Sequence, residues 1–344
     1  MEIGILTNVV CNVSLREALA YFRSLGITMV EIGCGGTPGI HHCNPEILLH
    51  DEEKFQAFQS DIEESGLKIS AFSCHGNPVH PTKDIAARYD GIIRNAILMA
   101  EKMNVDTICC FSGCPGDHDG AKYPNWVTGV WPFDYVAILD YQWNQRLIPY
   151  WSETARFAKE HGVNKIALEM HPGFAVYNPK TLLRLREACG DVIGANFDPS
   201  HLIWQGIDCA TAIQNLKGCI YHFHAKDTQI NEAAMNKNGF FSPTGVFGDA
   251  DNSFHFRIPG NGTDSTLWKK MITALGEIDY DGVISIEHED NSRSQDEGVR
   301  KTVEFLSSII IKETRTNCWW KESIRQYQRT FLPEPNRGKE GVTQ

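Results

Sequence analysis

The sequence predicts an α/β fold of the (β/α)8 type, a single barrel domain followed by a C-terminal extension. Eight short apolar stretches of strand length alternate with eight stretches of helical periodicity, a pattern typical of a parallel sheet that closes at eight units. Polar side chains also collect just after these strands, at the end where such barrels place their sites. An open doubly wound sheet would normally need a glycine-rich turn after an early strand, and Thr7-Asn-Val-Val-Cys11 stands there instead.

The predicted strands are short runs rich in aliphatic residues, cysteine and phenylalanine. They are expected at residues 3–7, 29–33, 69–74, 107–111, 165–170, 192–197, 219–227 and 283–286. The seventh is central to the interpretation, because alternate side chains of a strand share a face. His222 and His224 should therefore point one way and Phe223 the other, a pattern that fits the mouth of a barrel better than its core.

The predicted helices have apolar residues spaced three and four apart. Capping-box pairs open two of them, Ser14 with Glu17 and Ser294 with Glu297. The others are expected near residues 52–65, 84–103, 141–161, 179–189, 208–216 and 264–276. Two connections, 112–140 and 228–262, are too long for simple loops, which indicates a functional role. The aromatic residues of the first could form a lid over a ligand or a hydrophobic cluster beneath the loop.

Residues 1–312 form the predicted barrel domain, and 313–344 lie outside its eight units. The second segment carries Trp319, Trp320 and Tyr327, which makes it too apolar for a solvated tail. We therefore expect it to pack on the barrel or on a neighbouring subunit.

Composition excludes several classes of protein. A net charge of −11 argues against a nucleic-acid partner, because such binding depends on Lys and Arg neutralising phosphates. Eleven cysteines, an odd number without a CxxC pair, and the lack of a leader or of an apolar run near 20 residues predict a reduced cytoplasmic protein with no membrane association.

Four consecutive strands each end in one residue that can bind a metal. These residues are Glu169, Asp198, His224 and Glu287. Three carboxylates and one imidazole make a mostly oxygen site, suited first to Mn²⁺ or Mg²⁺, with Co²⁺ or Zn²⁺ as alternatives. The alternative is a buried hydrogen-bond network that holds the barrel mouth together. Because all four converge on one end, we favour the metal site.

Other polar residues near the strand ends keep two interpretations each. His75 could line a pocket or stabilise a turn, and His171 could contact a substrate or be a core histidine bonded to backbone. Lys226 could polarise a carbonyl or form an ion pair with a neighbouring carboxylate. Pro259-Gly-Asn-Gly262, before a helix, is the one candidate for a phosphate cradle and no basic cluster accompanies it, so a neutral ligand is favoured over a phosphorylated one.

Five motifs together resemble the xylose-isomerase-like TIM barrel superfamily, in the sugar phosphate isomerase/epimerase group that includes ketose 3-epimerases and inosose dehydratases. They are Glu169-Met-His-Pro172, Asp198-Pro-Ser-His201, His222-Phe-His-Ala-Lys-Asp227, Arg257-Ile-Pro-Gly-Asn-Gly262 and Tyr280-Asp-Gly-Val-Ile-Ser-Ile-Glu-His288. The resemblance implies that Glu169, Asp198, His224 and Glu287 bind the metal.

The resemblance further implies that Glu169 and Glu287 act as acid and base. It implies that His201 and an arginine after strand seven, for which Arg257 is the candidate, hold substrate hydroxyls. The implied function is a divalent-metal-dependent isomerase or epimerase of a keto-sugar or keto-polyol. A cation that bridges a carbonyl and a neighbouring hydroxyl makes the intervening C–H acidic, and a carboxylate removes the proton through an enediolate.

Three alternatives stay open. The same first step followed by loss of a β-leaving group gives a lyase or dehydratase on 3-keto-glycosides or keto-inositols, one form of which is the catalytic subunit of a two-component deglycosidase. A non-enzymatic sugar-binding barrel would be expected to have broken ligands, and the four here are intact. An apurinic endonuclease would need a histidine after strand four, where Phe111-Ser-Gly113 stands. The partners we expect are therefore a sugar substrate, a second copy of the chain in a homo-oligomer and, as an option, a small partner subunit.

Overall fold

The structure, a computed structural model, describes residues 1–129, 131–241, 251–313 and 319–331. Its strands alternate with helices along the chain, as the sequence predicts. They are β1 Glu2–Leu6, β2 Met29–Gly33, β3 Lys68–Ser73, β4 Thr107–Phe111, β5 Lys165–Glu169, β6 Ile193–Phe197, β7 Ile220–Ala225, β8 Asp227–Ile230, β9 Phe254–Arg257 and β10 Val283–Ile286. Eight of them form a closed barrel in the order β1-β10-β7-β6-β5-β4-β3-β2, with every neighbouring pair parallel. This confirms the predicted fold class.

The helices lie between the strands in the chain. They are α1 Leu15–Ser24, α2 Pro45–Leu48, α3 Glu52–Ser65, α4 Lys83–Lys102, α5 Asp134–Asp140, α6 Ile148–Glu160, α7 Pro179–Cys189, α8 Pro199–Ile203, α9 Cys209–Asn215, α10 Glu232–Asn238, α11 Ser265–Glu277, α12 Gln295–Ile309 and α13 Trp319–Phe331. The capping box of Ser14 and Glu17 is present at α1. At α12 only half of the predicted box forms, because the Glu297 carboxylate pairs with Arg293 and Lys301 instead.

The main apolar core lies where the helices pack on the outer face of the barrel. Large buried side chains such as Phe22, Trp151 and Trp268 belong to it, together with Phe223 of β7. The ring of Phe223 stacks against Phe197 of β6 at a centroid distance of 5.5 Å. The neighbouring His222 and His224 are fully buried but outside this apolar cluster. The predicted alternation along β7 is therefore confirmed.

The described parts of the connection 228–262 contain regular structure that the sequence did not predict. Strands β8 and β9 pair antiparallel in it, with Asp227 opposite Arg257 and Ile230 opposite Phe254. Helix α10 follows β8 directly. In the other long connection, helix begins at Asp134 rather than near 141, and Tyr141–Leu147 winds as a π-helix before α6.

The chain divides into two compact units, Met1–Ile310 and one that begins at Ile311. The first contains the whole barrel. Helix α13 belongs to the second, and Trp319, Trp320, Tyr327 and Phe331, the aromatic residues noted in the sequence, all fall within its bounds. None of the helices in the described parts of the chain is long and apolar enough to cross a membrane.

Candidate metal centre and active site

The four predicted metal ligands lie together at the C-terminal end of the barrel. Glu169 ends β5, Asp198 follows β6, His224 lies in β7 and Glu287 follows β10. One ligand atom from each lies within 4.8 Å of the others. Glu169, Asp198 and His224 are buried, and only Glu287, with 16% of its side chain exposed, reaches towards solvent. Local sequence explains the placement, since each residue stands at or near the end of an apolar strand.

This group of side chains fits a divalent cation. Three carboxylates and one imidazole nitrogen are donors that Mn²⁺, Mg²⁺, Co²⁺ and Zn²⁺ all accept. Oδ2 of Asp198 is buried and makes no hydrogen bond of acceptable geometry within the described structure, although Nζ of Lys226 lies 3.1 Å away. A buried carboxylate oxygen in that position is a ready metal ligand. The structure thus contains a possible metal-binding cluster.

Two histidines lie against Glu169. Nε2 of His75 is 3.0 Å from Oε2, and Nε2 of His201 is 3.0 Å from Oε1. The distances are those of ion pairs, while the angles at both nitrogens fall outside hydrogen-bond geometry. Nε2 of His201 also lies 3.2 Å from Oδ2 of Asp198. Both oxygens of Glu169 therefore have an imidazole beside them, which favours the ionised carboxylate.

Lys226 lies among the acids that follow the strands. Its Nζ is 2.8 Å from Oε2 of Glu287 and 3.2 Å from Oε2 of Glu289, in addition to its contact with Asp198. The ammonium group also lies 4.8 Å from the ring centroid of Phe256. Burial opposes the charged form, but the surrounding carboxylates outweigh it and raise the pKa of Lys226. Lys226 thus forms ion pairs with neighbouring carboxylates, as one interpretation of the sequence expects. It also lines the cavity described below.

Sequence reasoning missed Glu31, a fully buried acid in the middle of β2. Its oxygens lie 2.9 and 3.0 Å from Nε2 of His224. The hydroxyls of Ser285, at 2.7 Å, and of Ser73 also donate to it. With Nε2 taken by Glu31, Nδ1 of His224 faces Glu169 at 3.3 Å and Glu287 at 3.1 Å. Glu31 therefore fixes the ring with one nitrogen available to a metal.

Charge at the site follows from these contacts. Burial alone would raise the pKa of the Glu31 carboxyl, but the imidazole of His224 beside it outweighs this effect, and the pKa of Glu31 lies well below its usual range. Burial likewise opposes the protonated form of His224, yet Glu31 and Glu287 raise its pKa. By contrast, burial lowers the pKa of His222 to about 4. His222 is thus held neutral, and it bonds to Asn196 and Ser70 rather than to the predicted ligands.

A cavity of about 440 Å³ opens beside the four-residue cluster. Its lining includes Glu169 and Glu287 together with polar and aromatic side chains. The others are Leu6, Asn8, Thr37, Pro38, His75, Phe111, His171, Phe174, Lys226, Phe254, His255, Phe256, Glu289 and Asn291. The structure therefore gathers most of the predicted site residues around one space of a size that can hold a small ligand.

His171 has features of both a backbone-bonded histidine and a residue of the ligand cavity. Its Nδ1 lies 2.6 Å from the carbonyl oxygen of Pro172, as expected of a histidine satisfied by backbone, and the residue also lines the cavity. Its ring centroid is 3.9 Å from that of His201. His201 itself is buried behind this lining and contacts Glu169 and Asp198.

Arg257 lies beside the site rather than in it. Its guanidinium bonds to Gln229 and to the backbone oxygen of Phe256, and it pairs with the buried Asp290 at 3.5 Å. Among the described residues that line the cavity, Phe256 is present and Arg257 is not. Its contacts with Gln229 and Asp290 hold the guanidinium outside the lining, although Phe254, His255 and Phe256 of the same strand all contribute to it.

The Pro259-Gly-Asn-Gly262 turn is occupied by a side chain of the protein. Backbone amides of Gly260, Gly262 and Thr263 donate to Oδ2 of Asp227 at 2.9–3.1 Å, and so does the indole of Trp268 at 3.0 Å. A Cβ on Gly262 would lie 2.5 Å from the backbone of Thr228, so glycine permits this close approach. These amides bind a carboxylate already, which leaves them unavailable to a phosphate.

The aromatic residues of connection 112–140 lie away from the cavity. Tyr123, Trp131 and Phe133 are exposed, and Trp126 packs against Tyr177 at a ring-centroid distance of 5.4 Å. Of the described residues in this connection, none lines the cavity. The packing of Trp126 corresponds to the hydrophobic cluster rather than to the lid.

Proteins of known family and structure resemble this chain in sequence and fold. The family model for the xylose isomerase-like TIM barrel matches residues 19–309. The chain is 33% identical over 312 residues to YfiH of Bacillus subtilis (strain 168), described as an uncharacterized protein, covering 90% of this chain and 99% of YfiH.

Two solved structures share the fold. One is the probable 3-DHS dehydratase AsbF, involved in petrobactin synthesis, from Bacillus anthracis. It has a TM-score of 0.63 and 17% identity, covering 89% of this chain and 99% of AsbF. The other is a D-tagatose 3-epimerase-like protein, with a TM-score of 0.59 and 20% identity, covering 90% of this chain and 98% of the other.

Proposed function

The chain belongs to the xylose isomerase-like TIM barrel family, and we propose that it is a divalent-metal-dependent sugar isomerase or epimerase. It would act on a keto-sugar or keto-polyol by removing a proton next to the carbonyl. The observation that carries the proposal is the convergence of Glu169, Asp198, His224 and Glu287 within 4.8 Å, beside a cavity that two of them line. A mostly oxygen donor set at the mouth of a barrel suits a substrate that offers oxygen atoms.

The four residues would hold one divalent ion, with Mn²⁺ as the first candidate and Mg²⁺, Co²⁺ or Zn²⁺ as alternatives. Such an ion supplies positive charge beside the substrate carbonyl and hydroxyl, which lowers the pKa of the C–H bond between them.

Glu169 and Glu287 would exchange protons with the substrate carbon. Both carboxylates line the cavity, and the pKa of each lies below its usual range, because neighbouring cationic groups outweigh the effect of burial. Ionised carboxylates are the form that accepts a proton. His75 and His201 lie 3.0 Å from the two oxygens of Glu169. Lys226 would stabilise negative charge that develops on a substrate oxygen.

The proposal is tested by metal analysis of the purified chain, followed by incubation of ketoses, keto-inositols and 3-keto-glycosides with the metal-loaded protein in deuterated water. We expect deuterium to enter at a carbon next to the carbonyl. The Glu287→Gln variant should lose this exchange by about 10²–10⁴-fold, the range for a general base. Glu304→Gln, on the exposed side of α12, is the matched control.

The products then define the reaction. Deuterium with inverted configuration indicates epimerisation, and a shifted carbonyl indicates isomerisation. Loss of a neighbouring oxygen substituent indicates a lyase. If the metal-loaded chain exchanges deuterium into none of these compounds, the proposed function is wrong and a binding role is favoured.

A further inference from the structure

We propose that the substrate carries a flat apolar group beside its sugar, so that this site takes a glycoside-like keto-sugar rather than a small free ketose. The inference rests on the proposed function and deepens it. Four phenylalanines line the cavity: Phe111 at the end of β4, Phe174 in the connection after β5, and Phe254 and Phe256 on β9. They come from three separate elements that meet at one space.

The aromatic rings form two pairs. Phe111 and Phe174 stack with their centroids 4.2 Å apart and their planes 20° from parallel. Phe254 and Phe256 lie on the same face of β9, with centroids 5.5 Å apart. Leu6 and Pro38 add further apolar surface to the lining. The cavity therefore offers adjoining apolar surface from four rings on more than one side.

This apolar surface begins directly beside the acidic cluster. The ring of Phe111 meets His75 edge-on at a centroid distance of 4.6 Å, and His75 contacts Glu169. On the other pair, Phe256 lies under the ammonium group of Lys226. A ligand whose carbonyl lay at the carboxylates would therefore place its next substituent against phenylalanine.

The energetics favour an apolar substituent there. A hydroxyl that faces an aromatic wall loses its hydrogen bonds to water without replacement. An aryl group in the same place gains binding free energy in proportion to the apolar surface that it removes from water. The cavity of about 440 Å³ also lies within the range of roughly 300–1,000 Å³ that holds drug-sized ligands, so it has room beyond one sugar ring. A phosphate substituent is disfavoured, because Asp227 already occupies the amides of the glycine turn.

The test compares two unreactive probes that differ only in the substituent, 4-nitrophenyl β-D-glucopyranoside and methyl β-D-glucopyranoside. Their affinities for the Mn²⁺-loaded full chain are measured by calorimetry. We expect the nitrophenyl glycoside to bind at least ten times more tightly. Phe174→Ala should remove most of this difference, and Phe174→Leu, which keeps apolar volume, should restore part of it.

Phe157→Ala is the matched control, because Phe157 is a partly buried phenylalanine on the outer helix α6, where it contacts Arg94. It should leave both affinities unchanged. Equal affinities of the wild type for the two probes would overturn the inference. So would a Phe174→Ala variant that keeps the full preference and is shown by thermal unfolding to be folded. Deuterium exchange into free ketoses in that case would leave the proposed function standing. Conversely, a tenfold preference without exchange into any keto-sugar would identify the proposed function as the part that fails.

Discussion

Glu31 is a carboxylate in the middle of β2, and both of its oxygens are used inside the barrel. They lie 2.9 and 3.0 Å from Nε2 of His224, and they accept the hydroxyls of Ser73 and Ser285. Carboxylates that hold the far nitrogen of a metal-binding histidine fix its orientation and raise its basicity. Glu31 is thus a positioning residue for the proposed metal centre.

The variant Glu31→Gln keeps the size of the side chain and removes its charge. We expect it to lower the affinity for Mn²⁺ by about 10–100-fold, because His224 loses the anion that holds its Nε2. Metal affinity is measured by competition with a fluorescent chelator, and thermal unfolding of the metal-free protein separates this effect from a general loss of stability. Unchanged affinity in a folded variant would contradict the role of Glu31.

The contrast between Glu31 and the four predicted ligands shows what sequence can reveal about single residues. Glu169, Asp198, His224 and Glu287 stand at or near the ends of apolar strands, and the barrel topology alone brings such positions together. Glu31 lies inside a strand, and its contact with His224 depends on how the closed barrel aligns β2 with β7 across its interior. A single acid within the apolar run of β2 was the available signal, since a buried charge needs a partner.

Among the elements, β9 contributes part of the cavity lining, and its antiparallel pairing with β8 is anchored by Asp227. The carboxylate of Asp227 is fully buried and accepts from the amides of Gly260, Gly262 and Thr263 on one oxygen. Its other oxygen accepts from the amide of Thr228 at 2.8 Å and the hydroxyl of Thr263 at 2.9 Å. One side chain thereby ties the start of β8 to the turn after β9.

The variant Asp227→Asn should destabilise the fold. Whichever way the amide turns, its NH₂ group replaces a carboxylate oxygen, and the donors that bonded to that oxygen lose their acceptor. We therefore expect the free energy of unfolding to fall by roughly 3 kcal/mol. Denaturant unfolding measures this value. The control Asp264→Asn removes a charge from the same region at an exposed helix cap and should cost far less, since Asn caps a helix nearly as well. Equal effects of the two variants would contradict the anchoring role.

The sequence did not predict this pair of strands, for a physical reason. Asp-Thr-Gln-Ile and Phe-His-Phe-Arg are four residues each and lie more than twenty positions apart in the chain, so no short turn signals their pairing. The same gap explains Arg257, which was expected at the substrate. Without the pairing of β8 with β9, the contacts of Arg257 with Gln229 and Asp290 could not be foreseen.

For the whole molecule, the order of strands and helices was predictable because each βα unit is local in sequence. Apolar runs set the strands, capping residues and apolar periodicity set the helices, and closure follows from the number of units. The extension gives no comparable signal. The boundary between the two compact units falls after Ile310, two residues before the predicted domain end at 312.

We propose that the extension packs on the barrel or on a neighbouring subunit, and its removal tests this. A chain that ends at Lys312 should keep the metal site, because all four ligands lie within the first unit. If the extension covers the barrel, the truncated chain should unfold at a lower temperature. If the extension joins subunits, light scattering should show fewer subunits in each oligomer. If the truncated chain forms an oligomer with the same number of subunits as the full chain and unfolds at the same temperature, both forms of the proposal are contradicted.

The proposed function depends most on the metal, and a titration of the metal-free full chain with Mn²⁺, followed by electron paramagnetic resonance, tests it most directly. We predict one tightly bound ion per chain. Asp198→Asn should weaken its binding by more than about 100-fold, because it removes a charged ligand atom. Asp279→Asn, an exposed residue whose positive φ asparagine also tolerates, should leave binding unchanged. A wild-type chain that binds no ion, or an Asp198→Asn variant that binds as tightly as the wild type, would contradict the account.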